Sequence, residues 1–152
     1  MSAISAAPTP PSMSDLPLHQ FSANMDAFDA IRERLATSVS ALDWKPDDIH
    51  RCTLILEELF TNSVKYGTSA GSESHVYLGI VPAADRSIAL TYEDRAPHHD
   101  PFAEISTAHT NPNIEQRGIG GLGVPLIIRL TEEASYTALP TGNRITLVFR
   151  PR

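Results

Sequence analysis

At residues 58–67 the chain reads Glu-Leu-Phe-Thr-Asn-Ser-Val-Lys-Tyr-Gly, which closes a helix that we predict from about Pro46 to Tyr66. Pro46 suits a first helical turn, because the N–H that it lacks would have no helical partner there. The two aspartates that follow complement the positive end of the helix dipole, and Gly67 supplies a stop. These signals define both ends of the predicted helix.

The predicted helix has one apolar face and one polar face. With about 100° between successive residues, the apolar face collects Ile49, Cys52, Leu56, Leu59 and Phe60. The opposite face collects Arg51, Glu58, Asn62 and Lys65. Glu58 and Asn62 stack one turn apart. Most polar stripes of this kind are only solvated, and that is the simpler interpretation.

The composition of the polar face also supports a functional interpretation. Thr61, Asn62 and Ser63 are three poor helix formers in succession. Local propensity that is broken without visible gain is typical of functional sites. A Glu beside an Asn amide oxygen can hold a hydrated Mg²⁺, which prefers oxygen ligands, and can orient an attacking hydroxyl.

The rest of the chain predicts strands joined by hairpins, with helices gathered in groups. We expect an edge strand at Leu16–Phe21, a helix at Met25–Leu42, strands at His75–Val81 and Ser87–Tyr92, a helix at Val124–Leu130, and a hairpin of Ala134–Leu139 and Arg144–Phe149. This order predicts an α+β fold: a two-layer sandwich with a mixed, mostly antiparallel sheet and helices on one face. A doubly wound sheet would need regular β-α-β alternation.

Two segments outside the helix suggest ligand contacts. The strand Ser87–Tyr92 runs into Glu-Asp94-Arg-Ala96-Pro, where a carboxylate can accept a hydrogen bond from the exocyclic amine of adenine. An ordinary turn aspartate is the alternative. Residues 117–124 read Arg-Gly-Ile-Gly-Gly-Leu-Gly-Val before a predicted helix, so their N–H groups can close on phosphate oxygens. A flexible hinge is the alternative there.

In this order the segments resemble the nucleotide-binding boxes of the Bergerat-type ATP-binding fold shared by gyrase, histidine kinases and MutL. Residues 58–67 resemble its N-box, residues 94–102 its first glycine box, and residues 117–127 its second. Within that superfamily the chain is most similar to bacterial anti-sigma regulatory factors, the small serine-protein kinases of partner switching. The resemblance covers about residues 16–150.

The resemblance implies a role for each matching residue. Glu58 corresponds to the catalytic base, Asn62 to the Mg²⁺ ligand and Asp94 to the adenine-binding acid. Lys65 and Ala96 lie in the same boxes and are included among the nucleotide-binding residues. The phosphate-binding loop corresponds to Gly118, Gly120, Gly121, Leu122 and Gly123, and the mobile lid to residues 98–116. ATP and Mg²⁺ are therefore the implied cofactors.

The chain departs from the family pattern at three positions. The first glycine box usually reads Asp-x-Gly, and here Ala96 takes the place of the glycine. Its methyl group costs about 1–2 kcal/mol if the turn requires a left-handed backbone, which bears on ATP affinity and not on the fold. Lys65 stands where histidine is common, and His99 stands where phenylalanine is frequent.

Composition limits the partners and the compartment. The chain has 152 residues and a net charge of −6, so we expect one acidic domain that does not bind nucleic acid directly. The apolar runs are too short for a bilayer, and no secretory signal is visible. The single cysteine excludes an intrachain disulfide, and we expect a cytoplasmic protein. Residues 1–15 predict a flexible tail before a domain at 16–152.

Two functions remain open under the resemblance. The first is a kinase that moves the γ-phosphate of ATP to a Ser or Thr of a small anti-anti-sigma (STAS-type) antagonist, with Glu58 as the base. The second is a module that sequesters a sigma factor, with ATP only ordering the lid. The family also suggests a homodimer. A complete histidine kinase is not expected, since its phosphoacceptor helical hairpin does not fit in 152 residues.

Overall fold

The helix that carries residues 58–67 is the centre of the helical layer. A computed structural model of the chain describes residues 17–67, 74–102 and 123–152. Its helices are α1 (Phe28–Val39), α2 (Pro46–Gly67) and α3 (Gly123–Leu130), and its strands are β1 (His19–Ser22), β2 (His75–Pro82), β3 (Ile88–Asp94), β4 (Glu133–Leu139) and β5 (Gly142–Phe149). The predicted tail, residues 1–15, lies outside the described residues.

The first predicted helix, Met25–Leu42, is shorter than its pattern suggested. Met25–Ala27 forms a 3₁₀ turn, which Asn24 caps by accepting a hydrogen bond from the Asp26 N–H at 2.7 Å. The α-helix that follows buries every third or fourth residue, namely Phe28, Ile31, Leu35 and Val39. Its apolar stripe therefore ends at Val39, and the chain turns before α2.

The five described strands form one sheet in the order β1-β2-β3-β5-β4. All four pairings between them are antiparallel, as expected of a mostly antiparallel sheet, and no parallel pair occurs among the described strands. In the β3–β5 pair, Tyr92 lies opposite Ile145 and Asp94 lies opposite Asn143. This register brings the end of β3 to the first residues of β5.

The helices cover one face of the sheet, as expected for a two-layer α+β fold. The apolar face of α2 is buried at Cys52, Ile55, Leu56, Leu59 and Phe60, and it belongs to the same core as the inward residues of β2, β3 and β5. The Phe60 ring stacks on Phe28 of α1 with 5.6 Å between ring centroids. Burial raises the pKa of the Cys52 thiol, which is therefore a protonated core residue.

Arg51 does not belong to a solvated stripe, which corrects the predicted polar face of α2. Only 7% of its surface is exposed. Its guanidinium donates to Asp48 Oδ1 at 3.3 Å and to the Arg150 carbonyl at 2.6 Å. Asp48 is itself buried and accepts the Arg152 N–H at 2.9 Å. The residues after β5 thus cross the start of α2, which helical periodicity does not reveal.

Of the helices in the described parts of the chain, none combines the length and the apolar character that crossing a membrane requires.

We predict that Arg51→Met lowers the free energy of unfolding by about 3–5 kcal/mol, because it leaves the buried Asp48 carboxylate without its charged partner. Urea denaturation followed by circular dichroism measures the change. Arg32→Met is the matched control, since Arg32 pairs with Asp29 at the same spacing on α1 but both side chains are exposed. The control should cost at most about 1 kcal/mol. Equal losses in the two variants would contradict the burial of the Asp48–Arg51 pair.

Candidate functional site

The carboxylate of Asp94 is held by donors from three different parts of the fold. Asp94 is the last residue of β3. Its Oδ2 accepts a hydrogen bond from Ser63 Oγ of α2 at 2.8 Å. Its Oδ1 accepts from Asn143 Nδ2 of β5 at 2.9 Å and from the Ala96 N–H at 3.2 Å. The side chain is therefore fixed in position and in rotation.

The hydrogen bonds of Asp94 determine what it can offer a ligand. A carboxylate has about four acceptor sites, two on each oxygen. Two donors occupy Oδ1 and one occupies Oδ2. One acceptor site on Oδ2 is left for a ligand N–H group, and an ionised carboxylate has no hydrogen to donate. The half-buried Asp94 thus suits an amine and disfavours a carbonyl.

Ser63 links the polar end of α2 to β3. The Tyr92 hydroxyl donates to Ser63 Oγ at 2.7 Å and also lies 3.3 Å from the Leu59 carbonyl oxygen. Burial raises the pKa of the Tyr92 phenol, so the hydroxyl stays protonated and remains a donor. Ser63 then directs its own hydrogen to Asp94. From the sequence, Ser63 was identified only as a poor helix former. The hydrogen bonds of its hydroxyl explain why a serine stands at this helical position.

The β4–β5 hairpin fixes the turn that follows Asp94. Asn143 Nδ2 also lies within hydrogen-bond distance of the Ala96 and Pro97 carbonyl oxygens, at 3.2 and 3.1 Å. Gly142 has a φ of +112°, and a Cβ there would lie 1.9 Å from the Asp94 carbonyl oxygen. Sequence reasoning identified the hairpin but not Asn143, because no periodic or motif signal connects it to a residue 49 positions earlier.

Ala96 adopts a backbone conformation that alanine tolerates. Among the described residues other than glycine, those with a positive φ are Asp43, Asp85 and Arg86. The cost of a left-handed alanine therefore does not arise at Ala96. Its methyl group is buried, and both its N–H and its carbonyl take part in the turn.

The predicted catalytic base, Glu58, and the predicted Mg²⁺ ligand, Asn62, lie on the same helix as Ser63. Glu58 and Asn62 are half-buried, whereas the neighbouring Glu57 is exposed. Because Asn62 directly precedes Ser63, the polar end of α2 lies beside the Asp94 carboxylate. Lys65 is exposed, with its Nζ 5.4 Å from the centroid of the Tyr66 ring. The structure therefore brings Asn62 and Asp94 to one end of the fold, and it places Lys65 toward solvent.

The start of the predicted lid is attached to the β4–β5 hairpin. His98 Nε2 contacts the Leu139 carbonyl, and the His99 N–H donates to Asn143 Oδ1 at 2.9 Å. The rest of the predicted lid, residues 103–116, is outside the described residues. So are Gly118, Gly120, Gly121 and Leu122 of the predicted phosphate loop. Gly123, the last residue of the predicted loop, is the first residue of α3, so a helix begins where the predicted loop ends.

Comparison with known proteins identifies the family and the fold of the chain. A family model described as histidine kinase-like ATPase domain matches residues 21–149. No curated protein matches the chain. Among solved structures, the RsbU and RsbW domains of Rv1364c from Mycobacterium tuberculosis match with a TM-score of 0.59 at 17% identity, over 88% of this chain and 32% of that one.

Two structures of the Erythrobacter litoralis EL346 blue-light activated histidine kinase also match. Its histidine kinase domain gives a TM-score of 0.50 at 17% identity, covering 80% of this chain and 60% of that one. The second structure gives 0.53 at 17% identity, covering 79% and 40%. The chain thus spans about a third of the mycobacterial protein and 60% or less of the kinase chains. At these identities the similarity shows the fold, which is of the Bergerat type.

We predict that Ser63→Ala lowers the free energy of unfolding by about 1–3 kcal/mol, because the buried Tyr92 hydroxyl and Asp94 Oδ2 both lose a partner. Urea denaturation checks this value. Ser38→Ala is a matched control, since the Ser38 hydroxyl only donates to the Arg34 carbonyl one turn back on α1. The control should stay within about 0.5 kcal/mol of the wild type. Similar small changes in both variants would argue against the Tyr92–Ser63–Asp94 chain.

Proposed function

The chain belongs to the histidine kinase-like ATPase domain family, and on that premise we propose that it binds ATP at the Asp94 turn and transfers the γ-phosphoryl group to a protein serine or threonine. The observation that carries the proposal is the Asp94 carboxylate, which the fold fixes with one acceptor site remaining. The exocyclic amine of adenine is a nucleobase group that fits this site.

The buried surroundings of Asp94 support a specific contact with a nucleobase. The side chains that hold the carboxylate belong to residues that are nearly inaccessible to solvent. Ser63 and Asn143 contact it directly, and Tyr92 acts through Ser63. A hydrogen bond to a charged group in such a setting contributes more than one between neutral groups. The neighbouring Ala96 is buried as well.

We assign the chemistry of phosphoryl transfer to Glu58 and Asn62 of α2. Asn62 offers a neutral amide oxygen, a ligand type that Mg²⁺ accepts while it keeps several of its waters. When bound, Mg²⁺ neutralises charge on the phosphates during transfer. Glu58, one turn before Asn62 on α2, accepts the proton of the attacking hydroxyl. The new bond forms between the hydroxyl oxygen and the γ-phosphorus while the bond from that phosphorus to the β,γ-bridging oxygen breaks, and ADP leaves with the bridging oxygen.

We choose a serine/threonine kinase over other ATPases because the chain resembles anti-sigma regulatory factors over about residues 16–150. The similarity in fold to a protein that contains an RsbW domain is consistent with it. The proposed phosphoacceptor is a small anti-anti-sigma protein of the STAS type, and a sigma factor is the proposed second partner. The acidic chain, with a net charge of −6, favours partners that present basic surfaces.

Calorimetric titration with ATP and with GTP, each with and without Mg²⁺, tests the binding part of the proposal. Saturable ATP binding that Mg²⁺ strengthens is the expected result, with GTP binding weaker because its base presents a carbonyl to Asp94. No heat at millimolar ATP would refute the nucleotide site. Binding without transfer to any STAS-type protein would favour the module that only sequesters a sigma factor.

We predict that Glu58→Gln slows phosphoryl transfer by about 10²–10⁴-fold, because it keeps the shape of the side chain but removes the base. ATP affinity should change little, since the base acts only during transfer. Transfer of labelled phosphate from ATP to the antagonist, alongside an ATP titration, separates the two effects.

Glu57→Gln is the matched control for this substitution. Glu57 precedes Glu58 on α2 but points about 100° away around the helix and is exposed. It should leave transfer largely unchanged. Equal slowing in the two variants would mean that the assignment of the base to Glu58 is wrong.

A further inference from the structure

Asn143 has a defined amide orientation in a nearly inaccessible position. Only 6% of the surface of this residue is exposed. Oδ1 accepts hydrogen bonds from the His99 N–H at 2.9 Å and from the Tyr136 hydroxyl. Because a backbone N–H can only donate, the amide oxygen must face His99 and the NH₂ group must face Asp94. His99 therefore excludes the flipped amide, and the Tyr136 hydroxyl supplies a second donor to the same oxygen.

The fixed amide in turn sets the rotation of the Asp94 carboxylate. Asn143 Nδ2 and the Ala96 N–H both donate to Oδ1, which leaves Oδ2 for Ser63 and for a ligand. If the amide were flipped, its oxygen would face a carboxylate oxygen and repel it. The acceptor site that Asp94 presents thus depends on a side chain outside every motif in the sequence.

We propose that Asn143, held by Tyr136, is a positioning residue that sets the selectivity of this site for adenine over 6-oxopurines. The inference rests on the proposed nucleotide-binding function and extends it to the β4–β5 hairpin. Adenine carries an amino group at C6, whereas hypoxanthine and guanine carry a carbonyl oxygen there. A carboxylate held as an acceptor attracts the first and repels the second.

The physical reason for assigning selectivity to Asn143 is that Asp94 discriminates only while its orientation is fixed. A carboxylate that can rotate or move presents a less defined acceptor, and its contact with the adenine amine weakens. A carboxyl group at position 143 would replace the N–H donor that now holds Asp94 Oδ1 with a second acceptor. The Asp94 carboxylate would then lose its fixed orientation, and with it the discrimination between the two kinds of purine.

The test compares two nucleotides that differ in the purine ring, ADP and inosine diphosphate, by calorimetric titration. The wild type should prefer ADP by about 10–100-fold, the usual worth of a hydrogen bond to a charged group. Asn143→Asp should bring the ratio of the two affinities close to one. Tyr136→Phe should lower the ratio by about 3–10-fold, because the amide loses one of the two donors that orient it.

Tyr77→Phe is the control for removal of a tyrosine hydroxyl. Tyr77 is on β2, where its ring lies under the Arg95 guanidinium, and the phenylalanine ring keeps this contact. It should keep the wild-type ratio. If Asn143→Asp does not fold, Tyr136→Phe decides the question alone.

The ratio separates positioning from a merely structural role. If both affinities fall together and the ratio stays at the wild-type value, the inference is wrong. If the wild type binds neither nucleotide, the proposed function fails and the inference fails with it. Binding of ADP by the wild type, with a ratio that no variant changes, overturns the inference alone.

Discussion

The close approach of β5 to the end of β3 is the constraint on which the site depends. At Gly142 a side chain would place its first carbon 1.9 Å from the Asp94 carbonyl oxygen, and the backbone there has a positive φ. Only glycine meets both conditions without strain. This approach seats Asn143 directly opposite Asp94 in the sheet register, so the amide reaches the carboxylate and the turn behind it.

The second support of the site comes from the helical layer. Polar groups in a core destabilise it unless they are hydrogen-bonded. Here Tyr92 donates to Ser63, and Ser63 donates to Asp94. The polar end of α2 therefore joins the sheet through paired groups, and Asn62 is carried with it. A network of this kind adds a unique geometry to the nonspecific packing of the apolar face.

The sequence predicted those parts of the molecule that depend on local order. Periodicity located α2 and the strands β2 and β3 within a few residues, and it placed Cys52 in the core. It failed at Arg51, because the residues after β5 that cover this side chain lie 99 positions away. For the same reason Asn143 was missed, since its partners are in the Asp94 turn. The angular position of a residue on a helix does not indicate whether a distant segment of the chain covers its side chain.

The motif resemblance also led to an expectation at Ala96 that the structure explains differently. In the family pattern a glycine stands there, and its freedom would serve a left-handed turn. In this chain the residue has no positive φ, and the Asn143 amide is within hydrogen-bond distance of the carbonyls of Ala96 and Pro97. The Asn143 amide thus holds the turn from β5, and the backbone of the turn has a conformation that alanine adopts without strain. Ala96 and Asn143 are therefore two parts of one arrangement, and the loss of the motif glycine does not disorganise the carboxylate beside it.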